Sequence, residues 1–247
     1  MIARRAQRYG AAMLAAFALA TCGDSFSISH YVLALSWQPG FCELNAGKPE
    51  CRALEKADFA ATHLTIHGLW PNDDFGTGPT YCGIDESTKA LEEAGYWCEL
   101  PEPEMTDTTR ADLSAAMPGT VSCLERHEWV KHGTCTGIEA DEYFANTVHL
   151  AKAAQATRLA QVITGNVGRT VTPRQLRNAF EVEFDAGASD ALSLVCMERD
   201  GRRYLTEIRI ALQEGTLDGP LERHDLYLEG KPITDRCGSD MWVDSAG

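Results

Sequence analysis

The feature that most constrains this chain is its set of cysteines. Cys42, Cys51, Cys82, Cys98, Cys123, Cys135, Cys196 and Cys237 form an even group once Cys22, near the N-terminus, is set aside. An even set spread along one domain reads as a disulfide framework closed in an oxidising compartment, with spacing alone leaving the pairing open. The N-terminus agrees with export. Arg4, Arg5 and Arg8 precede a short apolar stretch and then Ala18, Ala20 and Thr21, the layout of a signal peptide over 1–21 ahead of a single domain over 22–247. That stretch, Ala11 to Ala20, is shorter than the ~20 residues a membrane span needs, so no transmembrane segment is expected. Leu19-Ala20-Thr21-Cys22 also resembles a lipobox, in which Cys22 would become a lipid-anchored first residue. The other reading is ordinary cleavage that removes Cys22 or leaves it free. Either way the expected location is periplasmic or extracellular.

Charge narrows the function. The chain has 22 basic and 36 acidic residues, a net −14, and without the three leader arginines 19 − 36 = −17. Such a protein stays soluble and does not coat nucleic acid by bulk electrostatics.

Periodicity gives a coarse map. Tyr31 to Trp37 alternates large and small residues and reads as a strand, with Pro39-Gly40 as the following turn. Thr62 to Trp70 is a second strand, in which alternation sets His67 on the face opposite Leu64 and Ile66. Residues 85–107 carry eight acids against Lys89 alone and read as a solvated connection. Helices are expected over Asp107–Met117, over Asp141–Gln155 and after the capping box of Thr172-Pro173-Arg174-Gln175, where Leu176, Ala179, Phe180 and Phe184 form a buried stripe. Strands at Leu192–Met197 and Tyr204–Leu212 complete an α+β pattern without βαβ alternation: a mainly antiparallel central sheet packed with helices and stapled by disulfides into a single domain.

Two segments carry the chemistry: His67-Gly68-Leu69-Trp70-Pro71 and His127-Glu128-Trp129-Val130-Lys131-His132-Gly133-Thr134-Cys135. On a helix, Glu128, Lys131 and His132 share a face with His127 beside Lys131, which gathers a carboxylate, an ammonium and two imidazoles. Histidine titrates near pH ~6.5, so one ring can be neutral while another is protonated. Paired imidazoles with cations suit cleavage of RNA by its own 2′-hydroxyl. One group takes the hydroxyl proton, cations steady the crowded phosphorus, and another group protonates the leaving oxygen. DNA lacks the nucleophile, and no metal or cofactor is needed. The rival is a zinc site opening with His127-Glu128, but HExxH would put its second histidine at Lys131. His132 is turned about 140° from His127 on a helix, which defeats that reading. His30, His63, His149 and His224 carry no functional reading, and Trp129 reads as core.

Both segments resemble, without a gap and in order, the two active-site segments of the ribonuclease T2 family, the transferase-type acid endoribonucleases. The likeness runs over roughly 31–240, includes Ser36-Trp37-Gln38-Pro39-Gly40-Phe41-Cys42, and is strongest to exported bacterial members of the ribonuclease I type. The resemblance implies a metal-free cut of single-stranded RNA through a 2′,3′-cyclic phosphate with low base specificity. His132 would be the base and His67 the acid, with Glu128 and Lys131 stabilising the transition state and His127 holding the phosphate. Trp70 would stack on a base, Asn72 stands where an aspartate is frequent, and Tyr81 is a second stacking candidate. It further implies Cys82–Cys135 and Cys196–Cys237 bridges, after which proximity pairs Cys42 with Cys51 and Cys98 with Cys123. A monomer is expected. The alternative is a non-catalytic exported member of the same fold that binds RNA or a protein.

Overall fold

The computed structural model describes residues 28–73, 78–215, 219–229, 235 and 237–247. The expected signal peptide and Cys22 lie outside them. Strand β1 (His30–Trp37) leads into α1 (Gln38–Leu44), α2 (Pro49–Arg52) and α3 (Phe59–Thr62), and β2 (Leu64–Asn72) follows. Then come α4 (Glu86–Glu93), α5 (Asp107–Ala116), α6 (Leu124–Lys131), α7 (Ala140–Gln155) and α8 (Arg158–Thr164). The chain closes with β3 (Arg169–Val171), α9 (Pro173–Phe184), β4 (Leu192–Arg199), β5 (Arg202–Gln213) and β6 (Met241–Val243). Among the described residues no helix is long and apolar enough to cross a membrane.

The architecture is α+β. Strands β2, β1, β5 and β4 pair antiparallel in that order, while β6 meets β5 in parallel and carries β3. The sheet's inner face sends Leu33, Leu35, Leu64, Ile66, Leu69, Ile208 and Ile210 into a core filled from the other side by Phe144, Val148 and Leu150 of α7 and by Leu176, Phe180 and Phe184 of α9. The α9 start forms the capping box between Thr172 and Gln175, as its sequence predicts. Two expectations need correction. Pro39-Gly40 opens helix α1 rather than a turn, since proline near a helix start loses no intrahelical bond. The acidic stretch 85–107 is not merely a solvated connection: Asp85 caps α4 through the Ser87 and Thr88 amides, and Glu92 on that helix is buried.

Four disulfides staple the domain: Cys42–Cys51, Cys82–Cys135, Cys98–Cys123 and Cys196–Cys237. Cys82–Cys135 ties the end of α6 to the segment that follows β2, and Tyr81 N–H donates to the Lys131 carbonyl beside it.

Candidate active site

The outer face of the sheet carries the site, and one backbone irregularity sets it up. Ala34 pairs with Gly68 while Leu35 pairs with Ile66, so His67 is an extra residue in β2 without a partner on β1. Such a bulge kinks the strand and re-aims the side chain at the bulge. Past it, Gly68 and Trp70 share the outer face with Thr65, and Leu69 returns to the core.

Helix α6 supplies the facing groups, because its hydrogen-bond ladder continues one residue past the helix: His132 N–H still donates to the Glu128 carbonyl. Glu128 is fully buried. Its Oε2 accepts from Trp70 Nε1 at 2.8 Å. Its Oε1 has no hydrogen-bond partner and lies 3.7 Å from His67 Nε2 and 3.6 Å from His127 Nε2. The Trp70 ring stands between the histidines, edge-on to His67 at 5.2 Å and tilted against His132 at 5.6 Å. His127 and His132 are 6.3 Å apart. Lys131 is half-buried and, among the described residues, forms no ion pair. His67, Trp70, His127, Glu128 and His132 thus converge on one cleft.

The other two expected base contacts lie differently. Tyr81 reaches the cluster from behind, its hydroxyl donating to Glu92. Asn72 ends β2, with its carbonyl accepting from the Ser29 amide and its Oδ1 from the Asp73 amide. Neither stacks on the histidine cluster.

Five participants were missed from sequence. Glu92 accepts from His127 Nδ1 at 2.5 Å, and Trp97 stacks on the same ring at 4.3 Å with Lys48 Nζ over its far side at 5.0 Å. Glu207 accepts from His67 Nδ1 at 2.5 Å, and Arg209 donates to Glu207 while lying 4.9 Å from the Trp70 ring centre. A signal for the last two existed: in the apolar run of β5, Glu207 and Arg209 are two apart and so share a face opposite Ile208 and Ile210.

These surroundings separate the ionisable groups. Burial pushes Glu128 up to about 7. Burial, helped by the charge of Lys131 and the neighbouring histidines, pushes His132 down to about 3. His127 falls to about 4 from burial, only partly offset by Glu92. Burial also works to lower His67, but the hydrogen bond to Glu207 and the charges of Glu128 and Glu207 outweigh it, and the net shift is upward. A cavity of about 240 Å³ opens beside His67, bordered by Ser36, Phe41, Lys48, Trp97 and Arg209. Among the described residues no group of three or more His, Cys, Asp or Glu is arranged to hold a metal ion.

A sheet-and-helix domain locked by disulfides carries imidazoles, a buried carboxylate and cations around one open cleft. The chain belongs to the Ribonuclease T2 family, whose sequence profile matches residues 28–219, and it is therefore an endoribonuclease of that family. It is 32% identical over 237 residues to Ribonuclease I of Escherichia coli (strain K12), covering 88% of this chain and 86% of that protein. In fold it is similar to ribonuclease MC1 from bitter gourd seeds (TM-score 0.51, 20% identity, 87% of this chain and 99% of the other). It is also similar to the self-incompatibility-associated SF11-RNase of Nicotiana alata (TM-score 0.53, 18% identity, 85% and 100%).

Proposed function

We propose that the protein cleaves single-stranded RNA by transphosphorylation to a 2′,3′-cyclic phosphate, with His132 as base, His67 as acid and neither metal nor cofactor. The observation that carries this reading is the contrast between two imidazoles on one cleft. His67 is hydrogen-bonded to the carboxylate of Glu207 and lies 3.7 Å from Glu128, whereas His132 is half-buried beside the charge of Lys131. A ring kept neutral can accept a proton, and a ring kept charged can give one.

In the first step His132 takes the 2′-hydroxyl proton, the 2′-oxygen bonds to phosphorus, the bond from phosphorus to the 5′-oxygen breaks, and His67 Nε2 protonates that oxygen. In the second, neutral His67 takes a proton from water, the hydroxide opens the cyclic ester, and His132 returns its proton to the 2′-oxygen. Glu128 stabilises the crowded phosphorus through its unpartnered Oε1: raised to about 7, it is protonated under acidic conditions and donates a hydrogen bond to a phosphoryl oxygen. Lys131 and His127 hold the phosphate. The cavity beside His67 takes the leaving nucleoside, and Trp70, half-exposed, with Asn72 further along β2, takes the other base with low specificity. Tyr81 supports His127 through Glu92 instead of stacking on a base.

The four bridges support maturation in an oxidising compartment; removal of 1–21 and a monomeric product, lipid-anchored if Cys22 is acylated, complete the proposal. The test is to incubate mature protein with single-stranded RNA and DNA in excess EDTA near pH 6 and analyse the product ends. Cyclic phosphates from RNA with intact DNA are expected. Cleavage abolished by EDTA would restore a metal mechanism, and no cleavage by oxidised, folded protein would favour the binding-only alternative. The rate should follow a bell, rising as His132, lowered to about 3, loses its proton and falling as His67, raised above 6.5, loses its own. A rate still climbing above pH ~9 would defeat the two-histidine scheme.

A further inference from the structure

The cleft contains a second buried carboxylate, on β5, to which the two-histidine scheme gives no step of its own. Glu207 is 7% exposed, on the central strand β5, where it pairs with Ser36 and so faces the site beside Arg209, which pairs with Ala34. Its Oε2 accepts from His67 Nδ1 at 2.5 Å, and its Oε1 accepts from Arg209 Nε at 2.5 Å. Each carboxylate oxygen is thereby committed, one to the histidine and one to a cation that also lies over Trp70. His67 needs such a partner. As the bulged residue of β2 it lacks a pairing partner on β1, and its side chain is one-third exposed, so strand pairing and burial alone do not fix the ring.

We propose that Glu207 is the positioning residue of the acid: it fixes the His67 ring and its tautomer, with Nδ1 bound and Nε2 facing the reacting phosphate, while Arg209 clamps Glu207 in place. The inference rests on the reading of His67 as the acid. A carboxylate behind an imidazole holds the proton on the near nitrogen, so the far nitrogen alone exchanges protons with substrate, and it favours the charged ring. The charged and titratable groups around His67 are Glu207 and Arg209 from β5, Glu128, His127, Lys131 and His132 from α6 and its end, and Lys48 and Glu50 across the cavity. Of these, Glu207 alone is hydrogen-bonded to the ring.

Nitrogen-15 histidine spectra of the ligand-free, oxidised protein test this without reference to activity. Wild-type His67 is expected to be protonated on Nδ1 when neutral and to titrate above 6.5. Glu207→Gln should lower that midpoint by ~1 unit or more, and the alkaline limb of kcat should follow it down. At neutral pH kcat should fall about 10- to 100-fold with KM little changed. Arg209→Gln removes the clamp but keeps the carboxylate, so neutral His67 should no longer be held as the Nδ1-protonated tautomer, and this variant keeps the question answerable if Glu207→Gln fails to fold. An unchanged His67 titration in folded Glu207→Gln, or an unchanged His67 tautomer in folded Arg209→Gln, would overturn the positioning role. A lowered midpoint with an unmoved rate profile would overturn the link to catalysis and, separately, the assignment of His67 as acid.

Discussion

Gly68 sits where β2 and α6 come nearest: a Cβ there would strike Glu128 Oε2 and lie 2.7 Å from Trp70 Nε1. One methyl group would therefore push apart the hydrogen bond that positions the buried carboxylate. Gly68→Ala should destabilise the fold by about 1–3 kcal/mol, read by urea unfolding, and lower kcat as well. The histidines give a sharper contrast. His67→Ala and His132→Ala should each lower kcat by ~10²- to 10⁴-fold in folded protein, whereas His149→Ala should stay near wild type. His149 bonds the Gly219 backbone, far along the chain from either segment, and near-normal rates in His67→Ala would end its candidacy.

Among the elements, α6 makes stability depend on pH through groups that shift in opposite directions. His132 and His127, lowered to about 3 and about 4, are protonated in the unfolded chain between those values and 6.5 but neutral in the fold, so stability is lost as pH falls through that window. Glu128, raised to about 7 from 4.5, holds its proton more tightly in the fold, so its contribution is full below 4.5 and is lost as pH rises to about 7. Melting temperatures should fall from pH 6.5 towards 4, and His132→Asn should flatten that slope; an unchanged slope would show that His132 is not buried neutral. Replacing both Cys82 and Cys135 by Ala should cost ~2–5 kcal/mol and most activity, since that bridge ties α6 to the segment after β2. Much at this scale was legible. Alternation marked β1, β2, β4 and β5, and the capping box and apolar stripe marked α9. The bulge at His67 was not read, although it leaves a trace: the inner-face residues run Leu64, Ile66 and then Leu69, a spacing of two followed by three. The buried face of α4 was hidden too: Glu92 reads as one more acid in an acidic run until His127 and Tyr81 are seen to meet it.

At the scale of the whole molecule, a net charge of −14 opposes RNA at a distance, and a local group of cations, Lys48, Lys131 and Arg209, lies near the cleft. Binding is therefore expected to be weak and to respond to ionic strength over the ~8–10 Å Debye length of ordinary buffers. KM measured from low to moderate salt should change markedly; a flat response would mean that contacts other than phosphate dominate. The α+β class could be read from the order of elements, and the cleft's two motifs from their residues, but the third wall could not. It comes from β5, and the bond between His67 and Glu207 spans 140 positions. That distance has a consequence for a chain made from one end to the other. Both histidines are synthesised well before the strand that completes their surroundings, so a product that stops short of β5 carries the motifs without the seated acid. On the proposed reading activity arrives late in the chain's synthesis, and fragments from interrupted translation are expected not to cut the message that encodes them.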